Sequence, residues 1–124
     1  MSDLTEKCFR ALIFDEEEEY ESAIEELTSL IESSSQLVIA HNNRGVAYQE
    51  IGRIAEAESD FRKACDISSR GNATPLLNLA GILKRKGDLQ EALKFAEAAI
   101  VAKDTNDSAK VVRDQIHSQY EERS

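Results

Sequence analysis

Apolar side chains recur along most of this chain at steps of three and four. Ala57, Phe61, Ala64, Cys65 and Ile67 form one such series, and Ala92, Phe95, Ala96, Ala99 and Ile100 form another. That spacing gathers the apolar groups on one face of a helix and leaves the opposite face polar. The pattern also repeats on a longer scale. Small residues stand at Ala11, Gly45 and Ala80, and again at Ala23, Ala57 and Ala92, at intervals of 34 and then 35 residues in both series. Larger apolar groups keep the same step: Phe14, Tyr48, Leu83; Tyr20, Ile54, Leu89; Ile31, Cys65, Ile100. A fixed period of this size is one supersecondary unit used about three times.

The punctuation between the series predicts helix pairs. Gly52 and Gly87, 35 apart, fall where one helix should end and the next begin. Glycine there can take the left-handed conformation that closes a helix. Asp88 with Glu91 reads as a capping box, and Thr74-Pro75 as an N-cap followed by proline at the first helical position. The small residues have a packing reason, because antiparallel helices approach closely only where side chains are short.

These residues carry a resemblance to the tetratricopeptide repeat. The match is fullest in Asn43-Arg44-Gly45-Val46-Ala47-Tyr48 followed by Gly52, Ala57, Phe61 and Ala64. It recurs in Leu79-Ala80, Leu83, Gly87-Asp88-Leu89, Ala92 and Ala99, and in Ala11, Phe14, Tyr20, Ala23 and Leu27. The chain departs from the family pattern in three ways. Glu18 replaces the first turn glycine, Arg44 stands where leucine is usual, and Ser35, Ser69 and Asp104 stand where repeats usually end in proline.

The resemblance implies an all-α fold: a right-handed α-solenoid of three antiparallel helix pairs plus a C-terminal capping helix. A single domain over 1–124 would hold repeats at about 4–37, 38–72 and 73–106. A capping helix over 107–122 would bury Ala109, Val112, Ile116 and Tyr120 and turn Lys110, Arg113, Asp114, Gln115 and Glu121 outward.

Charge narrows the expected partners. The net charge is −9, and residues 1–36 hold 11 acidic and 2 basic side chains, so all the excess lies at that end. Such a chain repels phosphate backbones and anionic lipid, which argues against nucleic acid and membrane as partners. No apolar run approaches the length of a spanning helix. Cys8 and Cys65 match no metal-ligand spacing and fall on apolar stripes, so they read as small hydrophobes in a reducing, cytoplasmic setting.

The run Asp15-Glu16-Glu17-Glu18-Glu19 reads as a solvated turn leading into a helix. It lacks the alternation and central glycine of a calcium loop. His41 and His117 have no partner at a metal or catalytic-triad spacing, and His41 is expected to pack partly exposed. No phosphate-cradling loop or nucleophile elbow occurs. The expectation is a chain with no catalytic site, no cofactor and no metal.

What remains is binding of another protein. The resemblance implies a concave groove lined by the first helix of each pair. Its lining would be Cys8, Phe9 and Leu12; then Ile39, Asn42, Asn43, Val46, Gln49 and Glu50; then Leu77, Asn78, Gly81, Lys84 and Arg85. A peptide or helix of a partner would lie on Phe9, Leu12, Val46 and Leu77, with Asn43 and Asn78 offering amides to its backbone. Family members that hold the terminal Asp of heat-shock chaperones do so with two Lys, one Arg and two Asn. Only Asn43 matches here; Cys8, Leu12, Thr74 and Asn78 occupy the other positions, and the cations a carboxylate needs are missing. The alternative reading is a structural subunit, or a homo-oligomer, associating through convex or end surfaces.

Overall fold

The computed structural model describes residues 16–69, 71–102 and 108–123. Every regular element among them is a helix: α1 (Glu16–Ser33), α2 (Val38–Glu50), α3 (Ile54–Ile67), α4 (Ala73–Lys86), α5 (Leu89–Val101) and α6 (Ser108–Arg123). The chain divides into two compact units, residues 1–60 and 61–124, with the division inside α3.

In the first unit α1 packs against α2. Glu16–Glu19 lie within α1, and Asp15 lies outside the described residues. Ile24, Ala40, Gly45 and Ala47 are buried, and so is Ala57 at the start of α3. Gly45 and Ala57, members of the two recurring small series, are thus buried where short side chains let helices approach.

The second unit has a larger aliphatic core. Phe61, Leu76, Leu79, Ile82, Leu83 and Ile116 are fully buried, together with Cys65, Ala92, Ala96 and Ala99. Here α4 packs on α5, and α6 packs on both. The predicted stripe of α6 is observed: Ala109 and Ile116 are fully buried, Val112 and Tyr120 half-buried, and Lys110, Asp114, Gln115 and Glu121 exposed. Arg113, expected on the outer side, is half-buried.

Helix ends follow the glycines. Gly52 and Gly87 have φ of 82° and 86°. Gly87 N–H donates to Lys84 O at 3.0 Å and Asp88 N–H to Leu83 O at 2.9 Å. The same pair of bonds recurs one repeat earlier, from Gly52 N–H to Gln49 O at 3.1 Å and from Arg53 N–H to Tyr48 O at 2.8 Å. Carbonyls left over at the two helix ends are satisfied this way. Past α3 the left-handed residue is Ser69, with φ 53°.

Two caps differ from expectation. The N-cap of α4 is Asn72, whose side chain accepts from Thr74 N–H at 3.1 Å, and Pro75 is the third helical residue. An Asx side chain competes well for that place, and proline fits anywhere in a first turn, whose N–H groups have no helical partner. Asp88 stands at the N-cap of α5, but its side chain makes no capping bond.

Candidate functional site

The outward face of α2 is built by exclusion. Ala40, His41, Gly45 and Ala47 are buried, so the helix turns Ile39, Asn43 and Glu50 to the exposed side, with Asn42, Val46 and Gln49 half-buried beside them. Ile39 is 73% exposed, the most open large apolar residue described in the first unit. It lies one turn before Asn43 and two before Val46 on the same face.

In the second unit, Leu77, Asn78, Gly81 and Lys84 of α4 are half-buried and Arg85 is exposed. Lys84 is already engaged: its Nζ donates to Gln115 Oε1 of α6 at 2.6 Å. Phe9, Leu12 and Cys8 lie outside the described residues.

The buried side of α2 holds a polar cluster that sequence reasoning missed. His41 is 5% exposed rather than partly exposed, and Asp60 of α3 is 4% exposed. Arg44 meets Asp60 in a two-pronged contact, Nε to Oδ2 at 2.8 Å and Nη2 to Oδ1 at 2.7 Å. Its Nη1 donates to Thr28 Oγ1 of α1 at 3.2 Å. His41 Nε2 is 3.0 Å from Ser35 O, and Nδ1 is 3.5 Å from Asp60 Oδ1. A carbonyl only accepts, so Nε2 carries the hydrogen.

The hydrogen bond to Asp60 raises the pKa of Arg44 against the opposing effect of burial, so the guanidinium is a fixed charge. Among the described residues no buried side-chain nitrogen or oxygen lacks a partner. The one available signal was Arg44 at a place where the repeat usually has leucine. Its partner lies sixteen residues on, across a helix-to-helix turn, and no local spacing marks it.

Such a cluster resembles a catalytic triad only in composition. Asp60 is committed to Arg44, and His41 to a main-chain carbonyl, so neither is aimed at a place where a reacting group could sit. Among the described residues no three His, Cys, Asp or Glu side chains gather as metal ligands, and no helix is long and apolar enough to cross a membrane.

The model of the tetratricopeptide repeat matches this chain twice, at residues 38–70 and 73–105. The chain belongs to the tetratricopeptide repeat family. Each match takes in one complete helix pair, α2 with α3 and α4 with α5, and so the all-α helical-repeat fold is the family's own. Solved structures of tetratricopeptide-repeat domains agree. The Arabidopsis OM64 domain has a TM-score of 0.76 at 23% identity, covering 92% of this chain and 91% of that one. The Sgt2 domain from Aspergillus fumigatus has 0.78 at 21%, covering 95% and 76%. The second domain of human RPAP3, in complex with the HSP70 peptide SGPTIEEVD, has 0.73 at 25%, covering 90% and 92%. Comparison with curated protein sequences gives no significant match. Tetratricopeptide repeats are protein–protein interaction modules, and that coarse role comes with the family.

Proposed function

We propose that this tetratricopeptide-repeat chain binds a peptide or helix of a partner protein on the groove faces of its first helices and catalyses nothing. The observation that carries the proposal is the division of α2. One side is locked into the protein by Arg44, Asp60 and His41, while the other offers Ile39, Asn43 and Val46 outward. On α4, in the second unit, Leu77 and Asn78 are half-buried. An apolar side chain next to an amide suits a polypeptide, whose backbone needs donors and acceptors and whose side chains need apolar seats.

The RPAP3 domain holds its peptide SGPTIEEVD, which supports a protein ligand for a chain of this fold. The same peptide is a poor fit here. Thr74 and Asn78 stand where a terminal carboxylate would need cations, and both side chains are uncharged. Titration of the full chain with SGPTIEEVD is expected to show no saturable binding at micromolar concentration; saturation would refute that part of the reading.

The test of the whole proposal is a pull-down with the wild-type chain and an Asn43→Ala/Asn78→Ala variant, each with its melting curve. Partners retained by the wild type and lost by a variant that melts normally support it. Equal retention by both refutes it.

A second reading, association through end surfaces, has its own observation. Val101 and Val111, at the end of α5 and on the outer side of α6, are exposed. Light scattering across a concentration series separates the two: a constant monomer favours partner binding, and a tight dimer favours self-association.

A further inference from the structure

We infer that the occupant of the α2 face is a basic, extended peptide segment that seats two apolar side chains on Ile39 and Val46. The inference rests on the interaction reading above and names its ligand. Charge favours a basic ligand. Residues 1–60 hold fifteen acidic and four basic side chains, whereas residues 61–124 hold nine acidic and eleven basic. The whole negative excess therefore belongs to the unit that contains α2. Helix α1 alone, EEEEYESAIEELTSLIES, has eight carboxylates and no cation.

A charge density of this kind raises the local concentration of cationic segments and repels acidic ones. Glu50, exposed on the same side of α2 as Ile39, puts a carboxylate at the end of the face itself.

Shape favours an extended ligand. Ile39 and Val46 are two helical turns apart, about 10 Å along the axis. Asn43 stands between them, exposed, with an amide that can donate to and accept from a peptide backbone. A helical ligand has already used its backbone groups, so an amide in the centre favours an extended one. The face is also preorganised. The opposite side of α2 is fixed by the bidentate Arg44–Asp60 contact and by His41, so binding orders little of the protein. Lysine and arginine beside two apolar residues thus match what the face presents.

The test is selection of random displayed peptides on the full chain, followed by fluorescence anisotropy with the synthesised winners. SGPTIEEVD serves as the acidic control. The expected winners have net positive charge and two apolar residues, and bind more weakly as salt is raised. Ile39→Ser is expected to weaken them by about tenfold, and Glu50→Lys by about threefold. Both variants should melt as the wild type does, because both side chains are exposed.

Acidic or neutral winners overturn the inference, and so do winners that bind Ile39→Ser as tightly as the wild type. Binding lost in Asn78→Ala but kept in Ile39→Ser overturns it while leaving the interaction reading in place on α4. A selection that yields no binder at all overturns both.

Discussion

Asp60 is the residue on which the described part of the first unit turns. It is buried, it answers both prongs of Arg44, and it faces His41. Removing one member of a buried ion pair strands the other, at a cost of about 3 kcal/mol. Asp60→Ala is expected to show that loss in urea unfolding. Adding Arg44→Leu, which restores the family's usual residue, is expected to recover most of it, because an apolar pair of similar volume needs no compensation. The sequence made Arg44 conspicuous but not its meaning, since a contact between helices is fixed by packing and not by spacing along the chain. His41 illustrates the same limit: its burial depends on a carbonyl at Ser35 that no side-chain pattern announces.

Ser69 gives a second residue-scale case. A non-glycine residue at φ 53° pays the left-handed penalty, so Ser69→Gly is expected to raise the melting temperature, by a gain of roughly 0.5–1 kcal/mol. Gly52→Ala is the reverse. An added Cβ would meet nothing within 4 Å, so its cost of about 1–2 kcal/mol comes from backbone conformation alone.

Among the elements, helices and their glycine ends were legible because each is a local pattern that occurs twice in register. Caps were less so. Asn72 displaced Thr74 at the start of α4 because several residues there could accept from the same N–H groups, and sequence alone does not rank them. Helix α6 was visible as a single stripe, and its energetic role can be measured. Ile116 is fully buried where α6 meets the preceding pair, so Ile116→Ala is expected to cost about 2–5 kcal/mol by chemical denaturation. Deletion of residues 108–124 is expected to lower the melting temperature further, since it bares the apolar faces of α4 and α5.

The join between α3 and α5 predicts a pH effect. Arg62 Nη1 donates to Glu91 Oε1 at 2.7 Å, and this bond holds the Glu91 carboxyl below its ordinary pKa. A depressed carboxyl adds stability at pH above its unfolded value of about 4.5, and that share disappears as pH falls through the folded value. Both side chains are about a third exposed, so the share stays below about 1 kcal/mol. Wild type and Glu91→Gln should differ slightly at neutral pH and converge in acid. A difference that persists or grows there would contradict this account.

For the whole molecule, periodicity made the fold class readable from residues alone, because agreeing copies of a weak signal make a strong one; the family model matches two of them. The candidate binding face was readable only in part. Its positions came from the family pattern. Which of them are open came from the structure: Ile39 stands out at 73% exposed, whereas Lys84 is tied to Gln115. The partition of charge between the units was only half apparent in the sequence, which showed an acidic end but not that it falls within one of two compact units.

Cys65, 1% exposed in the middle of the hydrophobic interior, has a use as a clock. A thiol-specific dye cannot reach it until the surrounding helices part. In a Cys8→Ser background, labelling at Cys65 would therefore count openings of the protein under native conditions. Where reclosure outruns the dye, the slowdown relative to a small thiol gives the free energy of opening directly. The chain contains its own stopwatch for the stability changes expected in the second unit, with no denaturant added.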